Sequence, residues 1–340
     1  MKKCLSLILT LLLLLTAVPV SAADVSEYQI FDLTVAVEEN YDEIAAEIEI
    51  LNKERAANGL SPLVLDPQLT AWAMQRAAEC TLYYSHTRPN GSSCFTVLEG
   101  TYRYGSAGEN IAIGQRSAQE VMVDWMNSTG HRENILNAHY ASVGLGCVES
   151  VDGVKSWVQL FSSASGTSHT PSGIVYREDV PVAAYNTVIN CWWEMEKEEE
   201  WQVGDTVSGS LLAVNGGFPY SATLITGGYT VTSSSDCVRI NEDGTMTAVG
   251  VGETTLIATM GSGGGQVTAE ITVIVGPSDA PVVMLGDVDG NGRINNRDLG
   301  FLQQHLNEWD VAVDEAAADL DGNGRINNRD LGLLQQLLNQ

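Results

Sequence analysis

The chain has 340 residues, 44% of them hydrophobic, which is enough for two or three domains with cores of their own. Its 17 Lys and Arg stand against 43 Asp and Glu, so the formal net charge is -26. Such an acidic surface repels phosphates and attracts cations, which excludes a nucleic-acid-binding protein.

The first residues have the three parts of a secretory signal peptide. Two lysines precede an apolar run over residues 5–18, and the small residues VSA follow at 20–22. A transmembrane anchor is the alternative, but the apolar run is short and a cleavage site follows it. We predict a signal peptide over residues 1–22, secretion, and no transmembrane anchor.

Residues 41–163 combine helical and strand patterns. Apolar residues recur at helical spacing from Tyr41, Asp66-Pro67 is a helix start signal, and Ser117 with Glu120 forms a capping box. The dipeptide Asp152-Gly153 predicts a hairpin between two further apolar runs. The predicted elements are helices beginning near residues 41, 67 and 118, and strands over 142–149 and 155–161.

Five cysteines remain after the leader, which is an odd number, so at least one thiol is free or pairs with another chain. Two bridges, Cys80–Cys94 and Cys191–Cys237, are compatible with the order of the cysteines, and spacing alone does not decide between bridged and free forms. No CxxC pair occurs, which argues against a thiolate zinc site.

Three residues of the first region are candidates for chemistry. His86, Glu109 and His131 lie in SHTRPNG, AGENIAIG and STGHRENIL, each a Gly- or Asn-bearing loop sequence beside periodic structure. Two imidazoles and a carboxylate can hold a metal with an open position, or share proton transfer. The alternative is structural: hydrogen-bonded imidazoles and a carboxylate that accepts backbone N–H groups.

The helical period disappears after a Ser/Gly/Thr-rich stretch, and Val, Thr, Gly and Ser dominate residues 178–276. Two segments there, at 245–260 and 266–275, alternate like strands of a β-sandwich. Trp192, Trp193 and Trp201 could stack on a sugar ring, but we favour core burial for them.

The chain ends in a duplication: residues 289–307 and 321–339 are identical at 17 of 19 positions. Oxygen donors recur at loop positions 1, 3, 5, 9 and 12, a backbone carbonyl is expected at position 7, and Gly292 and Gly324 stand at position 6. Hard oxygen ligands at this spacing predict two Ca²⁺ sites. The predicted ligands are Asp287, Asp289, Asn291, Arg293, Asn295 and Asp298, and Asp319, Asp321, Asn323, Arg325, Asn327 and Asp330.

The segment GDVDGNGRINNRDLGFLQQHL and its second copy closely resemble a type I dockerin. The resemblance implies Ca²⁺-dependent binding to a cohesin module of a scaffoldin, as in cellulosomes, and a role in polysaccharide breakdown that is at most indirect. It also implies that partner contacts come from the end of each loop and from the exit helix. These residues are Asn296, Arg297, Gln303 and Gln304, and Asn328, Arg329, Gln335 and Gln336.

The segments LNKERAANGLSPLVLDPQLTAWA, SHTRPNG, GENIAIG, VMVDWMNSTGHRENIL and WVQLF resemble a CAP domain of the bacterial SCP type. The family implies an α/β/α sandwich whose cleft carries a His–Glu–Glu–His cluster, and in some members the two histidines bind a divalent metal. His86, Glu109 and His131 match three of the four residues, while Ser128 occupies the place of the second Glu.

The pattern from Asp236 to Gly252 resembles a bacterial Ig-like domain. We therefore predict a multidomain protein: an α/β/α sandwich, a β-sandwich and a small all-α calcium-binding dockerin. Function is predicted as cohesin attachment of a CAP domain that is a metal-assisted hydrolase or peptidase, with Zn²⁺ or another divalent metal in its cleft. The alternatives are a non-catalytic module for a peptide, lipid or cell-wall ligand, or an accessory of polysaccharide degradation. The predicted boundaries are 1–22 leader, 41–163 CAP, 164–177 linker, 178–276 Ig-like, 277–285 linker and 286–340 dockerin.

Overall fold

The computed structural model describes residues 28–98, 105–195, 197, 200–214, 221–278, 284–309 and 311–338. The predicted leader and residues 279–283 of the second predicted linker lie outside these ranges. The chain divides into two compact units, of which the first ends at Gly276 and the second begins at Pro277.

The helices are α1 (Tyr41–Ala57), α2 (Pro67–Leu82), α3 (Ala118–Asn127), α4 (Thr129–Ile135), α5 (Asn296–Leu306), α6 (Glu315–Ala318) and α7 (Asn328–Leu338). The strands are β1 (Ile30–Asn40), β2 (Val64–Leu65), β3 (Ala107–Ile113), β4 (Ser142–Glu149), β5 (Lys155–Ser162), β6 (Ile174–Tyr185), β7 (Cys191–Met195), β8 (Glu200–Gln202), β9 (Thr206–Val207), β10 (Gly209–Val214), β11 (Ala222–Gly227), β12 (Thr230–Ser233), β13 (Val238–Ile240), β14 (Met246–Ala248), β15 (Gly252–Met260) and β16 (Val267–Gly276).

Side-chain caps explain where the first helices begin, and they confirm the predicted starts. Asn40 accepts a hydrogen bond from the backbone N–H of Glu43 at the start of α1. Asp66 accepts from two backbone N–H groups of the first turn of α2, with proline in that turn. The predicted hairpin is also present, since β4 pairs with β5 along its length and Gly153 adopts a φ of 80° in the turn.

Strand β1 was not predicted, and it connects the two halves of the first unit. One edge of β1 pairs with β6 from Ile30 opposite Tyr185 to Asn40 opposite Ile174. Its other edge pairs with β4 near its end and with β11 nearer its start. Within the described residues, one sheet of nine strands therefore has seven in the order β3, β5, β4, β1, β11, β10, β7, with β2 paired to β4 and β6 paired to β1.

This continuous sheet crosses the range 164–177, which the composition predicts as a linker between two domains. Strand β6 begins at Ile174, inside that range. The first unit, moreover, continues to Gly276 without a division near residue 164. Strand pairing and shared burial of Leu33, Val35 and Val182 thus join two regions that differ in composition.

Helices cover both faces of β3, β5 and β4. A Cβ at Gly144 or Gly146 would lie 2.1 Å from Leu69 or 2.3 Å from Ala73, so these glycines allow α2 to pack directly on β4. On the opposite face, Gln159 of β5 contacts Glu47 of α1 and Met122 of α3. The neighbouring side chains of β3 alternate between these two faces.

The rest of the first unit consists of strands. Besides β6, β7, β10 and β11 in the large sheet, the described residues contain the sheets β12-β15-β16-β8 and β13-β14-β9. Trp193 of β7 is buried and donates its indole N–H to the carbonyl of Ala269 in β16, 3.0 Å away. Trp201 is buried as well, as predicted, whereas Trp192 is 43% exposed. Assignment of this region to the Ig-like family stays a prediction.

The second unit has a small core of its own. Val288, Leu302, Ala318 and Leu334 are buried, and the remaining apolar residues of α5 and α7 pack around them. Leu302 and Leu334 occupy equivalent positions in the two copies of the repeat, and the two exit helices α5 and α7 pack on each other through these leucines.

All five cysteines of the described residues are free thiols, so neither of the two considered bridges is formed. Burial raises the pKa of Cys80 to about 12 and that of Cys94 to about 11. Both thiols are therefore protonated and unreactive at neutral pH. Among the helices that the structure describes, none combines the length and the apolar character needed to cross a membrane.

Candidate functional site

The first candidate site is built on Glu109, in the terminal strand β3 of the large sheet. Its side chain lies on the α2 side of the sheet and is only 1% exposed. Glu109 Oε2 accepts a hydrogen bond of 3.0 Å from Nε of Arg76, a residue of α2. A carboxylate this buried keeps its charge only when a partner compensates for the lost hydration, and Arg76 supplies that compensation.

Arg76 belongs to a buried chain of alternating charges. Its guanidinium also donates to Glu79 Oε2 at 2.6 Å and to the carbonyl of Ser85 at 2.8 Å. Glu79 in turn accepts from Arg88 at 2.6 Å. Two guanidinium groups and two carboxylates therefore balance one another, and they fix the segment that carries Ser85 and the following histidine.

His86 is the exposed end of this chain. Its Nδ1 lies 2.8 Å from Glu109 Oε1, and its side chain is 59% exposed. One oxygen of Glu109 is taken by Arg76 and the other faces Nδ1 of His86, so the carboxylate orients the imidazole and leaves Nε2 as the ring nitrogen that Glu109 does not contact. An imidazole oriented by a carboxylate in this way can act as a base or as a metal ligand.

His131 approaches from α4, at the free edge of β3. Its ring lies edge-on to Trp125, with 6.5 Å between the ring centroids. Burial, with a smaller contribution from His86, lowers the pKa of His131, so this imidazole is neutral at neutral pH. Within the described ranges, however, groups of three or more His, Cys, Asp or Glu with all ligand atoms within 4.8 Å occur only in the second unit. The structure pairs His86 with Glu109, and His131 lies nearby without completing a three-ligand cluster.

A cavity of about 270 Å³ lies beside His131. Ser128, which stands where the family resemblance places a second Glu, lines this cavity together with Asp124 and Trp125. A carboxylate therefore does face the cavity, but it comes from Asp124, one helical turn before Ser128, and it accepts a hydrogen bond from Gln115.

Buried amides connect the site to the opposite face of the sheet. Asn110 donates to Gln159 Oε1 at 2.9 Å and to the backbone carbonyl of His131 at 3.1 Å. Asn134 donates to Asn110 Oδ1 at 2.8 Å, and Gln159 donates to Glu47. Burial raises the pKa of Glu47 to about 8, so this carboxyl is neutral at pH 7. These amide hydrogen bonds fix the position of α4 relative to β3.

The second candidate site comprises the two loops of the second unit. Carboxylate oxygens of Asp287, Asp289 and Asp298 lie within 4.8 Å of one another. The equivalent residues of the second copy, Asp319, Asp321 and Asp330, form the same cluster. Gly292 and Gly324 have φ values of 80° and 76°, in the left-handed region that the sharp turn at position 6 requires.

Backbone N–H groups orient these carboxylates. In the first loop, Asp287 accepts from the N–H groups of Asn291 and Gly292, at 3.0 and 2.7 Å. Asp298 accepts from Asp289 and Asn295, at 3.2 and 2.8 Å, and therefore ties the loop to the first turn of α5. The second loop repeats all four bonds with closely similar lengths.

The loops fit a hard cation. Asp289 Oδ2 is buried and accepts no hydrogen bond, although Nε of Arg297 lies 2.8 Å from it. A buried carboxylate oxygen without a hydrogen bond beside two further carboxylates is costly unless a cation fills the space between them. The predicted partner-binding residues are exposed, apart from Gln304, which is half-buried.

Comparisons with known proteins support two domain assignments. The model of CAP, the cysteine-rich secretory protein family, matches residues 48–161, and the dockerin type I domain model matches residues 285–339. The uncharacterized protein YkwD of Bacillus subtilis (strain 168) is 39% identical over 117 residues, which cover 34% of this chain and 44% of that protein. The uncharacterized membrane protein YlbC of the same organism is 30% identical over 102 residues, or 29% of this chain and 30% of that protein. The chain thus spans less than half the length of these curated relatives.

Three solved structures are also similar. An extracellular protein containing an SCP domain from Bacillus anthracis str. Ames is 28% identical, covers 34% of this chain and 39% of its own, and has a TM-score of 0.31. A cysteine-rich secretory protein from Staphylococcus aureus is 22% identical, with 37% and 40% coverage and a TM-score of 0.31. An outer surface protein from Borrelia burgdorferi is 20% identical, with 36% and 92% coverage and a TM-score of 0.33.

Substitution His86→Ala should raise the pKa of His131, because the neighbouring His86 contributes, after burial, to the lowering of that pKa in the native chain. In the native chain, the lowered pKa of His131 means that the unfolded state binds the proton more tightly. The free energy of unfolding should therefore fall as pH drops through the ordinary histidine range. Imidazole NMR titration measures the first effect; His139→Ala, at an exposed histidine of the same unit, is the control. Equal His131 titration curves in the native chain and His86→Ala would contradict the assignment.

Proposed function

Residues 48–161 are a CAP domain and residues 285–339 a type I dockerin, and from this premise we propose that the chain is a secreted protein that docks, with Ca²⁺ bound, to a cohesin module of a scaffoldin. The dockerin supplies the attachment and the CAP domain is the attached cargo. A scaffoldin would place this cargo among cellulosomal enzymes, outside the cell or at its surface.

The observation that carries the proposal is the pair of carboxylate clusters in the second unit. Each loop brings three aspartates within 4.8 Å and turns at a glycine with positive φ. Ca²⁺ bound there would offset the repulsion among the carboxylates. Asn291 and Asn295, with their counterparts in the second loop, would complete the oxygen donor set together with the carbonyls of Arg293 and Arg325.

The duplication supports a docking role for both copies. Leu302 and Leu334 pack the two exit helices together, and each helix leaves its own set of polar residues exposed to solvent. Asn296 and Arg297 in one copy correspond to Asn328 and Arg329 in the other. Two similar surfaces related by this packing can each engage the same kind of partner.

For the CAP domain, the pairing of His86 with Glu109 favours a metal-assisted hydrolase or peptidase. Glu109 contacts Nδ1 of His86 at 2.8 Å, Arg76 donates to the other oxygen of Glu109 at 3.0 Å, and neutral His131 provides a second imidazole nearby. A divalent metal such as Zn²⁺ would supply Lewis-acid chemistry there. Both oxygens of Glu109 are engaged by Arg76 and His86, so the further ligands of a bound metal would come from water or substrate.

A non-catalytic module is the alternative, supported by the cavity of about 270 Å³ beside His131. The lining combines apolar side chains such as Trp125 with the carboxylate of Asp124, which suits part of a peptide, a lipid or a cell-wall ligand. A role as an accessory of polysaccharide degradation would then follow from the location on a scaffoldin and not from chemistry in this domain.

Replacing both position-12 aspartates, Asp298→Asn with Asp330→Asn, should weaken cohesin binding in Ca²⁺ by about tenfold or more, because each change removes a charged ligand and a backbone hydrogen bond. Surface plasmon resonance on immobilised type I cohesins measures this. Glu308→Gln with Glu315→Gln removes the same charge outside the loops and serves as the control. Undiminished binding of the native chain in EDTA would contradict the proposal.

The CAP site is tested by calorimetric titration of Zn²⁺ into the full chain after the dockerin loops are saturated with Ca²⁺. We expect His86→Ala to abolish one binding event and Glu109→Gln to weaken it by about 10- to 100-fold through loss of imidazole orientation. His139→Ala should bind like the native chain. Identical isotherms for all variants would exclude a metal at this site, and a peptidase screen with added metal distinguishes a hydrolase from a binding module.

A further inference from the structure

Each calcium loop is contacted by an arginine from its own copy of the repeat. Nε of Arg297 lies 2.8 Å from Oδ2 of Asp289, and Nε of Arg329 lies 3.0 Å from Oδ2 of Asp321. The aspartates occupy position 3 and the arginines position 11 of the two loops. The same pair occurs in both copies, which makes it a property of the repeated sequence.

The backbone of each arginine contacts the same loop. The N–H of Arg297 donates to Asn295 Oδ1 at 2.9 Å, and that of Arg329 donates to Asn327 Oδ1 at 2.8 Å. One residue therefore contacts the predicted ligands at positions 3 and 9. A cation bound in the loop would use the same two residues that the arginine contacts, so binding of the cation and the position of the arginine affect each other.

We propose that Arg297 and Arg329 are internal counter-ions that compete with Ca²⁺ for Asp289 and Asp321. They lower the Ca²⁺ affinity of their loops, and Ca²⁺ binding releases both guanidinium groups toward the docking surface. This inference rests on the proposed function, because it requires that the loops bind Ca²⁺.

Charge and exposure support the competition. Three carboxylates within 4.8 Å repel one another, and a guanidinium relieves part of that repulsion when no metal is bound. Ca²⁺ between the same carboxylates repels the guanidinium instead. The arginine can respond at little cost, since the side chain of Arg297 is 65% exposed while that of Asp289 is 3% exposed.

Linkage then couples Ca²⁺ to the partner. If an acidic group on the partner engages the released guanidinium, it removes the competitor from Asp289 or Asp321. The partner raises the affinity for Ca²⁺ by the same factor by which Ca²⁺ raises the affinity for the partner. A dockerin with this arrangement would load Ca²⁺ more tightly when bound than when free.

The test is a calorimetric titration of Ca²⁺ into the full chain after treatment with chelator, at low salt. We expect Arg297→Ala with Arg329→Ala to lower the Ca²⁺ dissociation constant by about threefold or more, as loss of two exposed ion-pair competitors implies. Arg297→Lys with Arg329→Lys keeps the charge and should lie closer to the native chain. Both substituted side chains are exposed, so these variants should fold.

The comparator is Arg293→Ala with Arg325→Ala, which removes the same charge from exposed side chains that form no ion pair within the described residues. We expect it to tighten Ca²⁺ binding less than half as much. Equal shifts in the two double variants, or no tightening in the first, would overturn the inference and leave the proposed function standing. Absence of Ca²⁺ binding by the native chain would overturn the proposed function itself.

Discussion

Repulsion among three aspartates in each terminal loop is the constraint on which the proposed attachment of this protein depends. The loops hold these carboxylates together with backbone N–H groups, and the short exit helices bury only a small core around Leu302 and Leu334. A core of that size stabilises a fold weakly, so the free energy of cation binding becomes part of the folding free energy of the second unit.

In the first unit, the buried carboxylates are compensated by arginine side chains of the same unit. Its hydrophobic core is large, and Glu79 and Glu109 are paired internally with Arg76 and Arg88. This chain of charges ends at His86, the exposed imidazole. The same interaction, a carboxylate compensated by a cation, is thus made by arginines in one unit and, in our proposal, by Ca²⁺ in the other.

The sequence predicted the loops that bring three aspartates together around a turning glycine, because such a loop is local: spacing of Asp, Asn and Gly within twelve residues specifies it, and Ca²⁺ binding by the full donor set stays a prediction. It indicated His86 and Glu109 as candidates through their Gly- and Asn-bearing loops, and the family resemblance added a reason to place them in one cleft; family models match both domains. It missed Arg76, whose charge within the buried face of α2 was a usable signal, and β1, whose pairing with β6 joins residues about 150 apart in sequence. Such long-range pairing leaves no local pattern, which is why composition indicated a linker where the strand Ile174–Tyr185 begins.

Hydrogen–deuterium exchange of the full chain, compared in Ca²⁺ and in EDTA, tests the central claim most directly. If the loops need a cation to hold their shape, backbone amides over residues 287–298 and 319–330 should exchange much faster in EDTA, while the amides of β4 and β5 in the first unit should not change. Equal protection of both loops in the two conditions would contradict the account, because the carboxylates would then be held together without an ion.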